Sequence, residues 1–223
     1  VNRRRLATLG VLLLAWLASI GAVGMCDLFR PATPEAGGSG TVILTNYTDP
    51  DSTLSTMARG IAAKSNGTDA YMGGIADTVR DLHLFRTFFD QSVLSRYFSI
   101  PGALPYPDPW GQQERTFFFN FIQYKANAQY EMTWAPDNFN PDPPTDPNAP
   151  LALIHRAYKV TAKQSDGSQL IIAVGYAELL FVHTTTGRWV IAVWSDHVDP
   201  AYGGANPNNP DEVCMGWRRL NLR

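Results

Sequence analysis

"LALIHRAYKVTAKQSDGSQLIIAVGYAELLFVHTTTGRWVIAVWSDHV", residues 151–198, is the stretch on which the fold turns. Three runs rich in β-branched and aromatic residues (151–163, 168–184 and 188–198) are separated by Ser165-Asp166-Gly167 and Thr185-Thr186-Gly187. A glycine behind a short polar residue takes the positive φ of a tight hairpin turn at little steric cost, and each flanking run has the length of a strand. The segment therefore predicts three antiparallel strands in a row.

Working outward, "RTFFFNFIQYKANAQYEMTW" (115–134) is aromatic-rich, and Phe117, Phe119 and Phe121 alternate with Phe118, Asn120 and Ile122. That alternation predicts one more long strand. On the other side, "VCMGWRRLNL" (213–222) reads as a closing strand. Earlier in the chain, 77–98 places Val79, Leu82, Phe85, Phe89, Val93 and Phe98 along one stripe, the pattern of an amphipathic helix. Asp51 or Ser52 is positioned to cap a helix through Leu54, Met57, Ala58 and Ile61, which Asn66-Gly67 would end; 41–49 reads as a short strand. Prolines exclude regular structure from 101–109, 136–150 and 199–210. Helices gathered ahead of an antiparallel meander make an α+β domain.

"GRWVIAVWSDHVDP" (187–200) followed by a terminal "GWRRL" (216–220) resembles the closing strands of the nuclear-transport-factor-two-like, or SnoaL-like, superfamily. Gly187, Trp189, Ile191 and Trp194 fit a Gly-x-Trp-x-Ile-x-x-Trp strand of that kind, and the resemblance spans roughly residues 77–222. It implies helices packed on a curved antiparallel sheet, a cone; the proline-rich stretch at 135–150 departs from compact members. Members range from isomerases and dehydratases to inert scaffolds, so the fold implies no reaction. Enzymatic members resemble one another in an Asp–His or Asp–Tyr pair inside the cone, for which the candidates here are Asp196 and His197, with Tyr176 and His83 as partners. Adjacent residues on a strand point to opposite faces, which already sets Asp196 against His197.

The remaining chemistry is sparse. His83, His155, His183 and His197 stand in no HxxxH or HxH spacing, so neither Asp196 nor Asp199 gains a metal-ligand set, and no metal or cofactor is expected. There is no P-loop, no GxGxxG and no GxSxG. The reading is of a non-enzyme. Cys26 and Cys214 are the two cysteines; a disulfide between them and two separate thiols both stay open.

Leu6 to Met25 form a twenty-residue uncharged run, long enough to cross the roughly 30 Å hydrocarbon core as a helix. Ala22-Val23-Gly24 has a small-x-small form that a signal peptidase could cut, and Met25 before Cys26 makes a poor lipid-attachment box. The run is longer than the usual secretory core, which favours a retained signal anchor. Val1 fits a GTG initiation codon read literally, an expectation of a bacterial chain. Arg3, Arg4 and Arg5 precede the run and hold residues 1–5 in the cytoplasm. The expected order is then a membrane helix at 6–25, a Pro/Gly linker at 26–40, and a periplasmic domain over 41–223. Ala15, Ala18, Ser19 and Ala22 share one helical face, either a docking stripe for another membrane helix or ordinary alanine-rich composition.

The chain carries a net charge of −2; the three arginines ahead of the anchor have no acidic counterpart there, leaving −5 on the exported part. An acidic domain without a basic cluster excludes nucleic acid as a partner. Tyr106, Trp110, Phe139 and Tyr202 stand on the proline-rich loops, where rigid aromatic side chains suit protein contacts. These features together predict a non-catalytic accessory subunit of a membrane complex in the bacterial inner membrane. Its partners would be other transmembrane subunits and the bilayer itself, with photosynthetic reaction centres and respiratory complexes as the kinds of assembly considered. The alternative is an anchored SnoaL-like enzyme or small-ligand binder using the cone.

Overall fold

The computed structural model describes residues 43–105, 111–144, 146, 149–199 and 214–222. The expected membrane helix, Arg3 to Arg5, the stripe of Ala15, Ala18, Ser19 and Ala22, the linker and Cys26 lie outside the described residues, as do Tyr106, Trp110 and Tyr202. No helix among the described residues is long and apolar enough to cross a membrane.

The three predicted strands form as read: β3 (Leu151–Lys163), β4 (Gln169–His183) and β5 (Trp189–Val198) pair antiparallel in sequence order. Gly167 and Gly187 supply the positive φ of the two turns, at +85° and +77°. β2 (Gln129–Pro136) adds to β3, and β1 (Arg86–Phe89) adds to the far edge of β5, so the order is β1-β5-β4-β3-β2. β1 runs parallel to β5, so the sheet is mixed and the expectation of a purely antiparallel meander is corrected.

Five α-helices accompany the sheet among the described residues: α1 (Pro50–Ala62), α2 (Thr68–Gly73), α3 (Gln91–Phe98), α4 (Gly111–Gln123) and α5 (Met215–Asn221). α1 is capped two to three residues earlier than expected, by Asp49, whose Oδ1 accepts from the Ser52 N–H at 2.8 Å, with Pro50 in the first turn. A 3₁₀ turn at Lys64–Gly67 leads into α2. Residues 43–49 form no strand, although the Tyr47 carbonyl accepts from the Trp189 N–H at 2.7 Å.

Three larger expectations are overturned. The first half of 115–134 is helical, because Phe117, Phe118, Phe121 and Ile122 are all at most 1% exposed. Burial at i, i+1, i+4 and i+5 is a helical face, and a strand would have buried Phe119, which is 41% exposed. Residues 77–98 are not one helix. Val79 and Leu82 are exposed, Leu82 takes φ +58°, and Asp77 Oδ1 accepts from the Val79 and Arg80 N–H groups in a local turn. Only the last third is helical, starting at α3, where Asp90 caps through Ser92. The closing segment is the helix α5 rather than a strand: Met215 to Leu220 are all buried, which no single-faced strand achieves.

α1 and α5 reach the face of the sheet that carries Arg156, Tyr158, Leu179 and Trp194: Arg156 donates to Asp51 of α1, and Tyr158 accepts from Met215 of α5. Trp134 on β2 and Trp194 on β5 meet with ring centroids 5.5 Å apart although two strands separate them. Neighbouring strands lie about 4.8 Å apart, so this contact requires the sheet to curl inward. Register shifts at Val160/Thr161 and Leu180/Phe181 supply the local extra twist.

The helical reading of 111–123 is directly testable. Phe118, stacked on Tyr71 at 4.5 Å, should cost about 3–5 kcal/mol on substitution by Ala. Phe119→Ala should cost well under half of that. Urea unfolding of the two variants checks the contrast, and equal losses would restore the strand.

Candidate functional site

The interior of the curved sheet, where the sequence placed its candidate acid, is occupied by the chain itself. α5 crosses the inward face, and two polar clusters hold it there. In the first, Gly216 donates its N–H to Asp196 Oδ2 at 2.7 Å, and Met215 donates its N–H to the Tyr158 hydroxyl at 2.7 Å. Tyr158 in turn donates to Asp196 Oδ1 at 2.7 Å, and Trp194 Nε1 donates to the same oxygen at 3.2 Å. Two N–H groups of the helix start, which have no intrahelical acceptor, are thereby satisfied by the sheet.

Two glycines make the approach feasible. A Cβ on Gly175 would stand 2.7 Å from the Tyr158 hydroxyl, and one on Gly216 would stand 2.9 Å from Asp196 Oδ2. Neither position has room for a side chain without moving the network.

In the second cluster, Arg219 donates from Nε and Nη2 to the two oxygens of Glu114 on α4, at 3.0 and 2.8 Å. Tyr71 on α2 donates to Glu114 Oε1 at 2.6 Å. The Arg219 guanidinium also lies 4.1 Å from the centroid of the Trp194 ring. Both side chains of the ion pair are fully buried. A forked guanidinium matched to a carboxylate is the geometry in which a buried pair recovers most of its desolvation cost.

Electrostatics follow burial. Burial pushes the Asp196 carboxyl above its ordinary range, against the pull of the Cys214 thiol, the Arg219 charge and the Tyr158 hydroxyl. Burial likewise lifts the Tyr158 and Tyr71 phenols well up, reinforced by Asp196 and Glu114 respectively. Burial opposes the Arg219 charge, but Glu114 outweighs it and the guanidinium is held more firmly protonated. Cys214 is a buried free thiol whose pKa rises well above the usual value, chiefly through burial and then through Asp196.

Of the four candidate catalytic residues, only Tyr176 and His197 are brought together, away from Asp196 and His83. In the β4–β5 register Asp196 pairs with Ala177 while Tyr176 pairs with His197, so Tyr176 and His197 share the outward face and Asp196 points in. His83 lies exposed on the turn ahead of β1. Among the described residues no group of His, Cys, Asp and Glu could hold a metal ion. His155 places Nδ1 3.2 Å from the Pro141 carbonyl oxygen, and His183 stacks on Trp189. Phe139 is 86% exposed and meets Tyr176 edge-on at 6.0 Å. The sequence reading missed Glu114, Arg219, Tyr71 and Tyr158. Its one signal was the pair of arginines beside Trp217 in an otherwise apolar closing segment.

The fold and the interior thus define an α+β domain of helices on a curled sheet, with its own C-terminal helix where a cone would open. No protein-family model matches the chain, and no curated protein matches it. Among solved structures, a variant of a protein of unknown function from Mycobacterium tuberculosis superposes with a TM-score of 0.48 at 13% identity, over 77% of this chain and 85% of that one. A conserved protein from Planctomyces limnophilus superposes at 0.42 with 11% identity, over 65% of this chain and 89% of that one. A nuclear-transport-factor-two-like protein of unknown function from Exiguobacterium superposes at 0.33 with 16% identity, over 66% and 98%. These scores describe general form; the architecture here stands on the chain's own sheet order and packing.

The raised Asp196 pKa sets a sign for pH dependence. Its contribution to stability is full below the unfolded carboxyl value of 3.8 and is lost as pH rises through the higher folded value. Asp196→Asn puts an NH2 among donors and should destabilise by about 1–3 kcal/mol. In urea unfolding from pH 4 to 8 the gap between wild type and variant should be widest at the acid end and narrow upward; a gap that widens upward would show a lowered pKa instead.

Proposed function

We propose that this chain is a non-catalytic accessory subunit, tethered to the bacterial inner membrane by its N-terminal apolar run, whose domain braces a larger complex on the periplasmic side. One observation carries the non-catalytic part: α5 fills the inward face of the sheet. General acid–base chemistry needs the acid within hydrogen-bond reach of a substrate. The Asp196 oxygens are engaged by Tyr158, Trp194 and Gly216. A substrate there would have to displace a helix whose six consecutive residues Met215 to Leu220 are buried.

The tether and the partners rest on the sequence: an uncharged run of membrane-spanning length, three arginines before it, and small residues on one of its faces. Once the interior is closed, recognition is left to the outer surface.

Purification in mild detergent tests the reading. Other transmembrane proteins should co-purify in fixed stoichiometry, and Ala18→Leu with Ala22→Leu should lower their recovery several-fold. A chain recovered alone, or one whose mature form begins downstream of the apolar run, would contradict it.

A further inference from the structure

The outward face of the sheet carries a groove of about 710 Å³, bordered by Asp137 and Phe139 of the proline-rich loop, Tyr176 and Glu178 of β4, and His197 and Asp199 at the end of β5. This size matches sites that take one small organic molecule or one long side chain. Its loop wall is fastened. Arg156 Nη1 donates to Asp142 Oδ2 at 2.7 Å, its Nη2 donates to Asp51 Oδ1 at 2.9 Å, and the His155 N–H donates to Asp142 Oδ1 at 2.6 Å. Phe139 therefore projects from a pinned loop, with its own N–H held by Asp137 Oδ1 at 2.9 Å.

Two properties of the groove point to one ligand chemistry. Phe139 and Tyr176 stand edge-to-face, 85° between ring planes, so two aromatic surfaces meet at a corner. Such a corner attracts a cation through the ring quadrupoles. Around it stand the carboxyl groups of Asp137, Glu178 and Asp199, and among the described residues no lysine or arginine lines the groove. The field is felt at Tyr176, whose phenol is raised first by burial and then by Asp199 and Asp137. Two imidazoles stand beside these carboxyl groups: His197 in the groove's own wall, and His155, whose Nε2 lies 3.4 Å from Glu178 Oε2.

We propose that this groove binds an organic cation, a primary ammonium or guanidinium on an apolar stem, seated against Phe139 and Tyr176 and neutralised by Glu178 and Asp199. An acidic, aromatic corner pays little for a stem that buries its methylenes and much for a bare anion. The proposal does not depend on the accessory-subunit reading, since a free amine and a lysine or arginine of a partner present the same chemistry.

Isothermal titration of the full chain in detergent at pH 8, where ordinary imidazoles are neutral, tests it with four probes: phenethylammonium, its neutral analogue 2-phenylethanol, and acetylated Gly-Lys-Gly and Gly-Arg-Gly amides. Phenethylammonium or a basic tripeptide should bind saturably, about tenfold more tightly than the neutral analogue. Glu178→Gln with Asp199→Asn should weaken it about tenfold, and Tyr176→Leu about threefold, consistent with the strength of single cation–π contacts. Binding of the free amine alone would assign the site to a small molecule, and of the tripeptides alone to a partner's side chain; both support the proposal. Equal binding of 2-phenylethanol, no effect of the double variant with its thermal melt unchanged, or no saturable binding of any probe would overturn it.

Discussion

The docking of α5 onto the inward face of the sheet is the constraint on which the rest depends. It is held by hydrogen bonds between helix and sheet at Met215 and Gly216 and by the buried pair of Arg219 with Glu114. Neither is strong on net. A buried ion pair recovers little beyond its own desolvation. The pair matters because breaking half of it leaves a bare charge inside, so α5 either docks in this register or not at all. One hydrogen-bonded carboxylate, Asp196, ties β3, β5 and α5 to a common point through Tyr158, Trp194 and Gly216. Glu114 ties α2, α4 and α5 in the same way through Tyr71 and Arg219.

This closure separates the two faces of one sheet. Strand alternation sends Tyr158, Asp196 and Trp194 inward and Tyr176, Glu178 and His197 outward from adjacent positions. The inward face is spent on cohesion. The outward face keeps titratable and aromatic groups at the surface, where recognition costs the fold little. Phe139 illustrates the division: it adds nothing to the core, yet its loop is pinned by Arg156 and Asp142.

How far the sequence foretold this depends on the range of the interaction concerned. The strands of 151–198 were readable because a two-residue period and a glycine turn are local signals, complete within a dozen residues. The aromatic run at 115–123 misled because Phe117 to Phe121 offers apolar residues at both strand and helix spacing, and only the exposure of Phe119 separates them. α5 misled for a related reason: the closing segment reads locally as a strand, but Arg218 Nε donates to the Ile172 carbonyl and Arg219 pairs with Glu114, both from inside. Glu114 and Arg219 lie 105 positions apart, and no pattern in either neighbourhood announces the other. The resemblance offered Asp196 and His197 together as a pair inside the cone; the register turns Asp196 inward and His197 outward, and no local pattern says that a helix covers the carboxyl.

Amide hydrogen exchange at Met215 and Gly216 tests the central claim most directly. If α5 is the closure of the domain, both amides should exchange only through global unfolding, with protection equal to that of β4. Exchange at the rate of an exposed loop, while β4 stays protected, would show that the helix leaves the sheet on its own and that the interior opens.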